Sequence, residues 1–164
     1  ASGHLSWWRL LRHWGLVYLG NAAGALTIVA LMILGGVQHS ADGAWGRVVL
    51  ASASHKLDHS FVAALALGIA CNLLVCLAVW AAFSGRTTTD KILALVGPVA
   101  LFVAAGFEHS VANMFLFPAG LWAGAEAPLA GVAGNLFWVT LGNVIGGAGG
   151  VALAYRFAYG AMRG

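Results

Sequence analysis

Four long apolar stretches, residues 14–34, 61–83, 92–117 and 136–158, most limit what this chain can fold into. Each reaches the roughly 20 residues that an α-helix needs to cross the hydrocarbon core of a bilayer. The chain therefore reads as an all-α, polytopic membrane bundle of four spans. One such bundle uses nearly all of the 164 residues and leaves no room for a separate soluble domain. Composition agrees, because only 8% of residues are charged and 61% are hydrophobic, whereas soluble domains carry about 25% charged residues.

Charge orients the spans. Outside the apolar stretches the basic residues run Arg9 and Arg12, then Arg47 and Lys56, then Arg86 and Lys91, then none, then Arg156 and Arg163. Three alternate segments thus hold six of the eight basic residues. Lys and Arg are retained on the cytoplasmic side. Both termini and the 84–91 loop are expected to be cytoplasmic, with 38–60 and 118–132 outside, in a multi-pass protein of the inner (plasma) membrane. The sequence pI near 9.2 then reflects topology, and no basic run with interleaved aromatics points to nucleic acid. Trp7, Trp8 and Trp14 at the first entry, and Tyr155, Phe157 and Tyr159 at the last exit, suit the headgroup level. Residues 44–57 place Trp45, Val48, Val49 and Leu57 on a roughly helical spacing, as in a helix lying along the outer interface. Cys71 and Cys76 lack metal-ligand partners at a useful spacing and read as packed thiols. No metal site and no cofactor is expected. The start Ala1-Ser2-Gly3-His4 has neither a Met nor a signal-peptide layout and reads as a partial start.

The first span repeats in the last. At a constant offset, Val17, Leu19, Gly20, Asn21, Gly24, Val29, Ala30 and Leu31 match Val139, Leu141, Gly142, Asn143, Gly146, Val151, Ala152 and Leu153. The match centres on an Asn in a Gly-Asn-x-x-Gly frame. With two spans between them the matching helices cross in opposite directions, the mark of an inverted-topology repeat of three helices. One repeat unit is whole and the other is represented by its third helix, so two further N-terminal spans are expected in the complete protein. Small-residue faces that let helices approach closely are the alternative source of such a match. By either reading Gly20, Asn21, Gly142 and Asn143 sit at packing faces.

Polar residues inside the spans carry the functional signal. The third span contains Gly106-Phe107-Glu108-His109-Ser110-Val111-Ala112-Asn113. Ionisable groups at membrane depth usually face a polar cavity or a partner and mark a transport path. Gly106, Ser110 and Asn113 also favour an unwound stretch, so the span is predicted to break near 106–113, where irregular backbone lining a cavity is tolerated. A half-helix N-terminus at such a break is positive and suits an anion. Neighbours on a helix do not face each other, so Glu108 and His109 cannot simply pair. Asn72 is a further buried polar group. His55, Lys56, Asp58 and His59 precede the second span as a vestibule-lining cluster without zinc-site spacing.

Three strings, Cys71-Asn72-Leu73-Leu74-Val75-Cys76-Leu77-Ala78-Val79-Trp80, Gly106 to Met114, and Leu141-Gly142-Asn143-Val144-Ile145-Gly146-Gly147, closely resemble signatures of the formate/nitrite transporter family. The resemblance implies an aquaporin-like bundle of six helices per protomer, assembled as homopentamers with a pore in each protomer and with two broken helices. The four spans here correspond to the last four. It also implies that His109 is the central pore histidine, with Asn72 and Lys56 flanking it, Phe102 as an outer apolar constriction and Glu108 as a positioning neighbour. The family's first broken helix, which supplies the inner constriction, has no counterpart here.

Transport of small monovalent anions, formate first and nitrite as the alternative, is the function this implies, without enzymatic chemistry. His55-Lys56-Leu57-Asp58-His59 resembles formate-type members, while 116–134 and 135–140 look more like nitrite-type ones. A haem-binding membrane subunit would need two facing His ligands within the bilayer, and only His109 lies mid-span. An intramembrane hydrolase would need an activated nucleophile, but Ser110 and His109 point about 100° apart on a helix.

Overall fold

A computed structural model of the chain describes residues 6–159, so Arg163 and the start Ala1-Ser2-Gly3-His4 lie outside the described residues. It is helical throughout, with no strand among the described residues. In order come α1 (Trp7–Leu34), a 3-10 turn (Val37–His39), α2 (Ala44–Leu57), α3 (Phe61–Ser84), α4 (Thr88–Ala104), α5 (Ser110–Trp122), α6 (Leu129–Val144), a π-helical stretch (Ile145–Ala152) and α7 (Leu153–Tyr159). α6, the π-helical stretch and α7 form one rod, Leu129–Tyr159. Among the described residues three helices are long and apolar enough to cross a membrane, Trp7–Leu34, Phe61–Ser84 and Leu129–Tyr159. Large apolar side chains along them are exposed, among them Leu19, Leu26, Leu31, Val62, Trp80 and Leu153. Such surface suits lipid and would be unusual against water.

The helix ends follow local chemistry. Ser6 and Ser60 accept the N–H groups of Arg9 and Ala63 and so start α1 and α3. α1 begins two turns before the apolar run at residue 14, because Ser6 caps it there. α2 covers residues 44–57, the segment whose spacing marked it as a helix. α4 starts with a reciprocal capping box between Thr87 and Asp90.

The described residues divide into two compact units, 6–56 with 111–127 and 57–110 with 128–159. In the first, α1, α2 and the α5 portion share a small core of Val29, Val49 and Ala119, with Ile33, Trp45, Phe115 and Leu116 packed on it. Ala53 touches α5 at Gly120, where an added Cβ would collide with the Ala53 Cβ.

In the second unit, α3 packs against α4 and against the Leu129–Tyr159 rod. The rod runs parallel to α3, as successive contacts show: Phe61 with Trp138 (ring centroids 5.4 Å apart), Gly68 with Gly142, Leu73 with Gly150, and Trp80 with Tyr155 (6.3 Å). Glycines permit this approach. A Cβ on Gly142 would run into the Leu65 carbonyl, and one on Gly146 into the Ile69 carbonyl. The π-helical stretch coincides with Gly146, Gly147, Gly149 and Gly150, where side-chain crowding cannot hold the tighter winding.

Two tests follow from this packing. Gly142→Val should destabilise the folded protein by about 3 kcal/mol, since the obstacle is backbone that cannot swing away. Thermal melting in detergent, with Gly134→Val as the control at a position with open space, checks it. The Asp90 carboxyl is held below the usual carboxylate range, chiefly by the Thr87 backbone N–H, then by the Thr87 hydroxyl and the Arg86 N–H. A depressed carboxylate stabilises fully above its unfolded pKa of about 3.9, and this contribution disappears as pH falls through the lower folded value. Asp90→Asn should therefore remove the part of acid destabilisation that sets in below about pH 4, read from melting curves taken between pH 3 and 6.

Candidate functional site at the helix break

The apolar run over 92–117 is not one helix. α4 stops at Ala104 and α5 starts at Ser110. Gly106 makes the stop possible with a φ of +68°, a left-handed conformation that costs a side-chain-bearing residue about 1 kcal/mol or more. Around it the Gly106 N–H donates to the Val103 carbonyl (3.1 Å) and the Phe107 N–H to the Phe102 carbonyl (3.0 Å). This is the Schellman pattern of helix termination, and it satisfies two carbonyls that α4 would otherwise leave bare. The break is shorter than the 106–113 interval expected from the run of polar side chains. Ser110 to Asn113 are helical, because α5 finds its N-terminal partner one helix away.

That partner is Asn143. Its Oδ1 accepts the Ser110 N–H at 2.9 Å, and its Nδ2 donates to the Glu108 carbonyl and to the Gly68 carbonyl, both at 2.9 Å. One buried amide thus ties the two sides of His109 to each other and to α3. Asn72 completes the junction by donating from Nδ2 to the Asn143 backbone carbonyl. The reach is possible because Gly68 and Gly142 bring the helices together at this level.

Glu108 is fully buried, and its Oε1 lies 3.5 Å from Nε2 of His59. His109 is half-buried, with its ring stacked on Phe102 at a centroid distance of 6.0 Å and an interplanar angle of 24°. The two adjacent side chains therefore serve different neighbours, which the unwound backbone permits. The positive end of α5 opens at the same junction.

His109, Glu108, Phe102, Asn72 and Asn143 all belong to the second unit and meet around this break. Lys56 lies in the last turn of α2, within the first unit, as do Gly20 and Asn21 on α1. The repeat-related residues differ in their surroundings. Where Gly142 and Asn143 are buried against α3, a Cβ on Gly20 or Gly24 would meet nothing within 4 Å, and the Asn21 Nδ2 donates to its own helix at the Val17 carbonyl (2.9 Å). A groove of about 430 Å³ runs along this face, lined by Gly20, Asn21, Gly24, Val111 and Phe115 among others. Sequence reasoning read Asn143 only as a packing residue and His59 only as part of a vestibule cluster. The Gly-Asn-x-x-Gly frame signals close backbone approach, and a buried Asn beside a close approach is where a backbone-stapling role would show.

The family profile described as formate/nitrite transporter matches residues 1–157. The chain belongs to that family. It is 46% identical to the formate channel FocA of Escherichia coli strain K12, over 97% of this chain and 62% of that protein. The formate channel FocA of Haemophilus influenzae is 40% identical over 96% of this chain, and again 62% of that protein is covered. The chain thus spans about three fifths of the length of these curated relatives. Among solved structures, a pentameric formate channel with formate bound superposes with a TM-score of 0.84 at 40% identity, covering 96% of this chain and 69% of that one. An ion channel of the same family gives 0.84 at 35% identity, covering 96% and 63%. The family's all-α, multi-pass membrane fold is the fold of this chain.

Family membership leaves the Asn143 staple to be tested on its own. Asn143→Ala should cost about 3 kcal/mol, because the Ser110 N–H and two carbonyls lose their partner in a dry place. Asn143→Asp should keep the Ser110 bond and lose the two donated ones. Hydrogen exchange over 105–112 should rise in the order wild type, Asp, Ala, and unchanged exchange in the Ala variant would rule the staple out.

Proposed function

We propose that the complete protein is a channel for small monovalent anions, formate before nitrite, with its pore running through each protomer of a homopentamer in the inner (plasma) membrane. The observation that carries this reading is the break itself: a titratable, half-buried His109 between two helix ends, stacked on Phe102 and held by a buried amide. Preference for formate is supported by relatives described as formate channels. The alternation of basic residues supports cytoplasmic ends for this chain. The three-helix repeat, together with the open Gly20–Gly24 face, supports two further helices in the complete protein.

In this reading an anion collects in an outer vestibule made positive by Lys56, passes the dry constriction at Phe102 and arrives at His109. A formate carboxylate entering an apolar passage loses hydration that must be replaced. The imidazolium and the positive end of α5 replace it without mobile water, and Phe102 excludes larger or more strongly hydrated ions. Asn72 and Asn143 fix the backbone that presents His109, and Glu108 positions it from the preceding residue. If the proton passes to formate, neutral formic acid crosses the apolar parts at low cost and transport is coupled to protons. A proton that stays on the ring gives a passive anion channel. No covalent step is involved.

Flux through reconstituted complete protein separates these roles. His109→Phe should abolish pH-dependent formate flux while the oligomer assembles as before, since the ring keeps its bulk and loses its charge and proton. His109→Asn keeps a hydrogen bond but cannot titrate between pH 5 and 8. Retained, pH-insensitive conductance in that variant identifies His109 as a pH gate, and loss of uphill formate uptake identifies it as the proton donor. Wild-type flux and pH response in both variants would sink the assignment.

A further inference from the structure

The one buried carboxylate at the junction faces a histidine that no part of the proposed pathway uses. Glu108 is fully buried at membrane depth, and the His59 Nε2 lies 3.5 Å from its Oε1. His59 sits in the α2–α3 turn, two residues before α3, with 17% of its side chain exposed. At that distance the imidazole is the carboxylate's neighbour, within the range of an electrostatic contact and longer than a hydrogen bond of about 2.9 Å. Buried charges persist when they are paired. His59 is thus a titratable partner of Glu108 with one edge still in contact with solvent.

We propose that His59 is a positioning residue: through the Glu108 carboxylate it sets the orientation of His109 and makes that orientation respond to pH at the aqueous end of α3. Glu108 is held through both its backbone and its side chain. Its carbonyl accepts from the Asn143 Nδ2 (2.9 Å), and its side chain is held toward His59. With the carbonyl fixed, the carboxylate is a second handle on the peptide that leads into His109. A charged His59 ring holds the carboxylate more firmly than a neutral one, because contacts between opposite charges are the stronger ones.

The other titratable side chains near the pair in sequence are His109 in the break, Asp58 beside His59, and His55 with Lys56 one turn earlier on α2. α3 contributes only Cys71 and Cys76, α6 contributes none, and on α4 Asp90 and Lys91 lie at the opposite end of the helix from the break.

The proposal rests on the channel reading for its flux consequence, and the test separates the two. His59→Leu and His59→Gln are made in the complete protein, each with Glu108 and with Glu108→Gln, and reconstituted in proteoliposomes. Formate flux is followed from pH 5 to 8, and hydrogen exchange over 105–110 is followed in the same samples. His59→Leu should lower flux about tenfold, the size typical of coupled sites, and speed exchange at 107–109. His59→Gln should restore both at pH 7.5 while flattening the pH profile. With Glu108→Gln present, the His59 substitutions should add less than about a twofold change, since additivity fails only for interacting residues. Unchanged flux, pH profile and exchange in both His59 variants would overturn the proposal, as would equal effects with and without the Glu108 carboxylate. If His59→Leu fails to assemble, His59→Gln decides alone by its pH profile and exchange. If the wild-type protein carries no formate, the channel reading fails, and the exchange arm still decides whether His59 holds Glu108.

Discussion

Breaking a helix inside a membrane exposes backbone groups that have no water to turn to, and everything around His109 is arranged to meet that demand. An unpaired N–H or carbonyl in hydrocarbon costs several kcal/mol. α4 closes its own end with the turn at Gly106, using two backbone bonds that stay within the segment. α5 cannot do the same, because the first N–H groups of a helix have no partner behind them. Asn143 supplies one from outside, and the same side chain also takes the Glu108 and Gly68 carbonyls.

A side-chain amide is short, so this solution works only if α6 lies almost against α3. The glycines at 68, 142 and 146 provide that closeness, and the parallel course of the two helices keeps Asn72, Gly68 and Asn143 at one level. The wider winding from Ile145 onward follows from the same requirement, since the face that meets Ile69, Asn72 and Leu73 has no side chains of its own. Packing, winding and the polar junction are one device. A methyl group added at Gly142 would separate the helices and, by the same step, pull Asn143 out of reach of Ser110.

Much of this was legible in the residues. Apolar length marked the membrane helices, and Gly106 with its polar followers marked the break. Other features were not. The uncapped interval looked wider than it is because Ser110 and Asn113 are poor helix formers by propensity, and a bond from a residue 33 positions away outweighs propensity. Asn143 was visible as a repeated Asn, yet only geometry distinguishes an amide that bonds its own helix, as Asn21 does with Val17, from one that spans three segments. His59 was hidden for a similar reason. In sequence it belongs to a polar cluster with His55, Lys56 and Asp58, and nothing in that pattern says which of the four turns toward a carboxylate 49 positions later.

A buried acid next to the central histidine is at first sight a poor companion for a pathway that is proposed to attract anions. At membrane depth, where the effective dielectric is low, a bare carboxylate would repel formate far more strongly than it would in water. The unwound backbone changes the outcome. Residues 108 and 109 are adjacent, but Glu108 is turned to His59 and is fully buried, while His109 is turned to Phe102 and is half-exposed. The carboxylate is turned away toward His59, and what the junction presents is an imidazole together with the positive end of α5. On a continuous helix the same two residues would be fixed about 100° apart by the winding alone, with no freedom to assign one to a counter-charge and the other to an anion. The break therefore does more than open a gap between two half-helices, because it separates the electrostatic roles of two neighbours that the chain is obliged to keep side by side.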